Sequence, residues 1–146
     1  PAKEFHLDAA KRADSRLFSA PLGFLKQQAR LTRNPDELAK LAVASEPSVV
    51  RNVLINPRMT EAIVVRIAAR RPARPEPLVE IWHSSKWSVR PAVRKALVFN
   101  PYLPPEVGAK IVPLLASADI RELARDTMVH HALREQAQAL LEHSHG

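Results

Sequence analysis

Ten basic side chains fall between residues 51 and 95 (Arg51, Arg58, Arg66, Arg70, Arg71, Arg74, Lys86, Arg90, Arg94 and Lys95), against three acids, Glu61, Glu76 and Glu80. The rest of the 146-residue chain carries twelve of each sign, so the net charge of +7 belongs to this sector. A field confined to one sector attracts anionic partners, whereas the same charge spread evenly mainly aids solubility. Arginine outnumbers lysine eight to two here, and its planar fork suits bidentate contact with carboxylate or phosphate. The competing reading is a solvated face partly neutralised by the three glutamates. Arg66 and Arg70 stand one helical turn apart, as do Arg90 and Arg94, so equivalent helices of a stack would bring them to one surface.

Two tryptophans, Trp82 and Trp87, flank Lys86 in the same sector. Trp82 is at helical spacing with Leu78 and Ile81 and is expected in the core. Trp87 lies at a turn between helices and is the candidate contact residue, an interface anchor or a stacking platform for bases. The predicted partner-binding set is Arg66, Arg70, Arg71, Arg74, Lys86, Trp87, Arg90, Arg94 and Lys95. Asp126 and His130, one turn apart with His131 adjoining, invite a metal reading. A dedicated site needs three or more converging ligands, however, and no H-E-x-x-H spacing occurs. There is also no Gly-rich phosphate loop, no G-x-S-x-G turn and no cysteine, so the usual nucleotide-binding and nucleophile signatures are missing. The reading is non-enzymatic, with no catalytic residue, cofactor or metal.

Such a surface must be held by some scaffold, and the scaffold is helical. Hydrophobic content is 46%, aromatics are 5%, Gly is 3 and Pro is 13, so Leu, Val, Ile and Ala build the core and prolines fall between helices. Period-two alternation of β-branched and aromatic residues is missing. No run of about 18 apolar residues exists, which excludes a spanning helix. One compact domain is the expectation for this length, and the lack of cysteine fits a reducing, cytoplasmic setting. Asn34-Pro35, Asn56-Pro57 and Asn100-Pro101 recur at spacings of 22 and 44 residues, one unit and two, each between apolar stretches. Periods in this range mark stacked supersecondary units, none of which can bury its apolar face alone.

Local signals place the helices. Asn34 is a cap, Pro35 a first helical position and Glu37 a capping-box acid, which predicts a helix over 35–44. Val49, Val50, Val53 and Leu54 form the face of the next helix. A further helix restarts at Thr60, an extended linker runs from Arg71 to Pro77, and Leu78, Ile81 and Trp82 follow at helical spacing. Pro91 is tolerable only in a first turn. Pro113 should end or kink the helix carrying Val107 and Ile111, and Asp119 opens what reads as the longest helix. Residues 1–33 are expected to cap the stack, 34–142 to form the repeats, and 143–146 to fray.

Val93-Arg94-Lys95-Ala96-Leu97-Val98-Phe99-Asn100-Pro101, followed by Pro104 and Val107, resembles the leucine-rich repeat variant pattern, a Val-Arg helix running into an Asn-Pro turn and a second helix. Val49 to Pro57, with Thr60 and Ile63, resembles a degenerate copy. Both stretches are also similar to HEAT-like repeats, and the resemblance covers roughly residues 34–133. It implies an all-α, right-handed solenoid of seven or eight short antiparallel helices and a role as a binding surface, an adaptor or scaffold of bacterial type. The expected partner is a protein with an acidic surface or segment, with nucleic acid as the alternative and self-association open. Some DNA glycosylases share HEAT-like architecture with a basic groove; that remote third reading would need Glu80 or an acid from a distant repeat. Reversing Arg90 and Arg94 to glutamate is expected to abolish partner binding with melting unchanged.

Overall fold

The computed structural model describes residues 21–43 and 46–145, and these form nine α-helices and a 3-10 turn, with no strand among them. The helices are α1 (Leu22–Leu31), α2 (Pro35–Leu41), α3 (Pro47–Leu54), α4 (Glu61–Ala69), α5 (Pro75–His83), α6 (Pro91–Val98), α7 (Pro105–Ile111), α8 (Ser117–Leu123) and α9 (His131–His145). Most of the expected cap, residues 1–20, lies outside the described residues; the part within them is α1. No helix among the described residues is long and apolar enough to cross a membrane.

Prolines start these helices. Pro35, Pro47, Pro75, Pro91 and Pro105 each occupy a first helical position, where the missing N–H would have no intrahelical acceptor and the fixed φ is already helical. Asn34 accepts from Asp36 N–H at 2.9 Å and Thr60 from Ile63 N–H at 3.3 Å, as side-chain caps. Glu37 departs from the expected capping box: its Oε2 accepts from the Thr32 hydroxyl at 2.9 Å, and that oxygen accepts the Asn34 N–H at 3.2 Å. The extended linker is shorter than expected, because α5 opens at Pro75 and buries Pro77 in its first turn. Pro113 ends α7 as anticipated, turning it into the 3-10 segment Val112–Leu114. The long final helix is instead two. Asp126 Oδ1 accepts from Met128 N–H at 2.7 Å, and His130 Nδ1 accepts from Ala132 N–H at 3.1 Å, a turn and a fresh cap between α8 and α9. Helix α9 continues past His143 to His145.

From α1 to α4 each helix packs on the one two further along. Helix α1 meets α3 and α3 meets α5; α2 meets α4 and α4 meets α6; at the far end α9 covers both α7 and α8. Between them runs one continuous core, with Leu38, Leu41, Val49, Val53, Leu78, Ile81, Leu97 and Ile111 among its fully buried members. Gly108 permits the approach of α7 to α9, because a Cβ there would stand 2.6 Å from Leu133 Cδ1.

The Asn-Pro echo marks how these layers are fastened. Asn56, buried just after α3, donates through Nδ2 to Ala29 O (2.9 Å) and Thr32 O (3.0 Å) at the end of α1. Asn100, buried after α6, donates to Ala68 O (2.8 Å) and Arg70 O (2.9 Å) at the end of α4. Their oxygens accept the N–H of Arg58 and Tyr102, so each amide is used on both sides. Carbonyls at a helix end have no intrahelical donor, and these side chains supply one. Between Asn34 and Asn56 lie two helices, but between Asn56 and Asn100 lie three, so the 44-residue interval is not two copies of the 22-residue one. The missing Asn-like contact, at the end of α3, comes from Trp87: its Nε1–H donates to Leu54 O at 2.8 Å.

At the far end, Lys95 on α6 reaches Asp119 Oδ1 (3.2 Å) and Glu122 Oε2 (3.3 Å) on α8. Hydrogen bonding to Asp119, then to Glu122, raises the Lys95 ammonium above its ordinary 10.5. A cation whose affinity for its proton is higher in the folded state contributes stability that is complete below that ordinary value and is lost as pH rises through the raised one. Lys95→Gln should therefore melt slightly lower than the parent at neutral pH, and the two melting curves should begin to approach each other only above roughly pH 10.5, meeting once pH has passed the raised value. Thermal melts across the alkaline range check this.

Candidate interaction surfaces

The basic sector, expected as one surface, is divided between the two ends of the α3–α6 block. The clasps show why. Asn100 and Trp87 bring the ends of α4 and α6, and of α3 and α5, together, so residues that start α6 lie with the start of α4, and residues that end α6 with its end. Across the eight residues of α6 the two ends are separated by about 12 Å.

At the end of α4, Arg66, Arg70 and Arg71 line an open groove of about 510 Å³ whose other walls are Ala39, Val43, Ile67 and Ala69. Arg66 and Arg70 are exposed and make no ion pair among the described residues, whereas the Arg71 guanidinium is fixed by donating from Nη2 to Phe99 O at 2.6 Å. Arg74, exposed as the residue preceding α5, likewise carries no ion pair among the described residues. The C-terminus of α4 carries partial negative charge, and these arginines first of all offset it; their number exceeds that need. Ala39 and Val43, on and just after α2, were absent from the predicted set. The available signal was a small residue, Ala39, beside the apolar set Leu38, Leu41 and Ala42.

At the start of α6 the picture differs. Trp87, the expected contact residue, is only 3% exposed. Its indole N–H has an acceptor within the fold, and Lys86 and Arg90 lie over its ring at 4.8 and 5.2 Å. It is thus a core residue roofed by cations, and it offers no ring face to a partner. Arg90 approaches Glu61 at 3.9 Å with both side chains more than two-fifths exposed, a pairing that solvent largely screens. Arg94 is half-buried and donates from Nε to Ser88 O at 2.8 Å. Reversing Arg90 and Arg94 will therefore disturb the fold as well as the charge, contrary to the expectation of unchanged melting. Lys95 is engaged with α8, away from both groups. Trp82 is half-buried against the core.

Glu80, the acid that a glycosylase-like reading invokes, points from α5 to α3. Its side chain is 10% exposed and meets Arg51 Nη1 at 3.3 Å, outside the groove. His130 and His131 stack with ring centroids 4.5 Å apart, and His131 lies 3.5 Å from Glu135. Among the described residues no group of three or more metal-ligating side chains is gathered. No family model, curated protein or solved structure matches this chain.

Proposed function

We propose that this chain is a non-enzymatic protein–protein interaction domain, an adaptor or scaffold acting in the cytoplasm, built as a small right-handed α-solenoid of the HEAT-like or repeat-variant kind. The layered packing of alternate helices supports the solenoid reading. The groove at the end of α4 carries the functional one: two unpaired arginines and a fixed third stand beside Ala39, Val43, Ile67 and Ala69. Cations above an apolar floor suit an acidic peptide segment that also inserts a small aliphatic side chain, with charge steering the encounter and the floor adding buried area. A phosphate backbone would use the cations and leave the floor idle.

Nucleic-acid binding is the second reading, and one observation favours it: Arg58, Arg66, Arg70 and Arg74 are all exposed and without an ion pair among the described residues. The variant Arg66→Glu with Arg70→Glu tests the groove, since neither side chain makes a hydrogen bond or ion pair among the described residues, although both lie at the negative end of α4. It should weaken binding of a labelled glutamate- and leucine-containing peptide by about 30-fold, the sum of two exposed charge contacts near 1 kcal/mol each. Melting should fall by roughly 2–8 °C, since reversing charge at the negative end of α4 costs about 1–2 kcal/mol, which leaves the chain folded at the temperature of the titration. Unchanged peptide affinity would sink the groove assignment.

A further inference from the structure

The other end of the helix block carries a second apolar feature, independent of the groove. Ile55, at the end of α3, is 65% exposed, and Val89, just before α6, is 56% exposed. Both belong to loops that Trp87 holds together: its Nε1–H bonds to Leu54 O, the residue before Ile55, while Val89 follows it by two positions. The same two loops carry Arg58, exposed and without an ion pair among the described residues, with Lys86 and Arg90 over the Trp87 ring. Ile55 and Val89 stand in solvent without a covering element among the described residues.

We infer that this end is a second docking surface, and that its occupant is an acidic protein segment bearing a bulky apolar side chain. Charge selects the sign: Arg58, Lys86 and Arg90 outnumber Glu61, the one acid among the described residues that pairs with any of them, through Arg90. The exposed Ile55 and Val89 select protein over nucleic acid, because phosphate gains nothing from covering aliphatic carbon, and the aromatic ring that could stack a base is buried. With the groove about 12 Å away along α6, on the opposite end, the chain then holds two acidic segments at once and bridges them, as a scaffold does.

The test is isothermal titration of a glutamate-rich peptide carrying two leucines, and of the same peptide with glycines in their place. Titrations use the full chain, Arg66→Glu/Arg70→Glu, and that variant with Ile55→Ser and Val89→Ser added. The full chain should bind two peptides and the charge-reversed variant one. Adding the two serines, both at exposed positions, should weaken that remaining site at least about tenfold, as should removing the leucines. Loss of all binding in Arg66→Glu/Arg70→Glu would overturn the second surface and leave the groove standing. A single site that ignores Arg66→Glu/Arg70→Glu and responds to the serines would do the reverse. If duplex DNA competes for the remaining site, and Arg58→Glu weakens peptide binding there while the serines do not, the surface reads phosphate and the inference fails.

Discussion

Trp87→Ala is expected to lower stability by about 3–5 kcal/mol, in the range for truncating a large buried aromatic. For a chain of this size that corresponds to a fall of roughly 6–20 °C in melting temperature. Three losses combine: a cavity beneath loop 84–90, the bond to Leu54 O, and the ring on which Lys86 and Arg90 rest. Trp87→Phe keeps most of the volume and removes the donor, so it isolates the hydrogen bond at about 1–3 kcal/mol. Urea unfolding followed by circular dichroism measures both. A change below about 0.5 kcal/mol for the alanine variant, the size of an ordinary surface substitution, would mean that the indole is a surface side chain after all and would return it to the candidate contact set.

Asn100→Asp should be the more damaging of the two conservative changes at the clasps. The parent amide donates twice, to Ala68 O and Arg70 O, from a buried position. A carboxylate has nothing to donate and places negative charge against two carbonyl oxygens at the already negative end of α4, a cost of about 3–5 kcal/mol for an uncompensated buried charge. Asn100→Ala leaves the carbonyls without a donor but adds no charge, and should cost about 1–3 kcal/mol. The two are told apart by pH. The introduced carboxyl holds its proton more tightly folded than unfolded, so its charge penalty is full above its raised folded pKa, shrinks as pH falls through that value, and is gone below about 4, the ordinary aspartate value. Asn100→Ala should show no such recovery. Melts of both variants over the acid range decide it, and equal deficits at every pH would contradict the clasp.

Much of the helical order was legible because its signals are local. Proline at a first helical position, Asn34 and Thr60 as caps, and apolar residues three and four apart each act within one turn, so neighbouring residues suffice to read them. The clasps were not legible in the same way. Asn56 and Trp87 each find their acceptors some thirty positions earlier, across a layer, and no spacing rule links an indole N–H to the carbonyl of Leu54. This is also why the Asn-Pro interval looked like a doubled unit: Trp87 does at the end of α3 what Asn56 and Asn100 do elsewhere. The final helix was overextended because Ile120, Leu123, Ala124, Thr127 and Met128 keep helical spacing, while Asp126 prefers to bond its own backbone.

The candidate site was half legible for a related reason. Sequence density located the charge correctly but not its division between two ends, which depends on the level at which α4 and α6 begin and end. Arg66, Arg70, Arg71 and Arg74 gather on one side of that division, and Lys86, Arg90 and Arg94 on the other. Lys95 belongs to neither, since Asp119 and Glu122 were too distant in sequence to be assigned to it. The groove walls on α2 carry no charge and no motif, so only packing reveals them.

On the proposed function, the groove at the end of α4 takes an acidic peptide in preference to a nucleic-acid backbone. The most direct measurement is a fluorescence-anisotropy titration of the wild-type chain with the labelled glutamate- and leucine-containing peptide and with random duplex DNA, each at about 50 and 200 mM salt. Peptide binding should weaken modestly between the two salts, because part of it comes from apolar contact, and DNA binding should be weaker at both. Submicromolar DNA binding that falls by orders of magnitude between the two salts, with peptide binding absent, would show release of counterions from phosphate contacts and would contradict the proposed function.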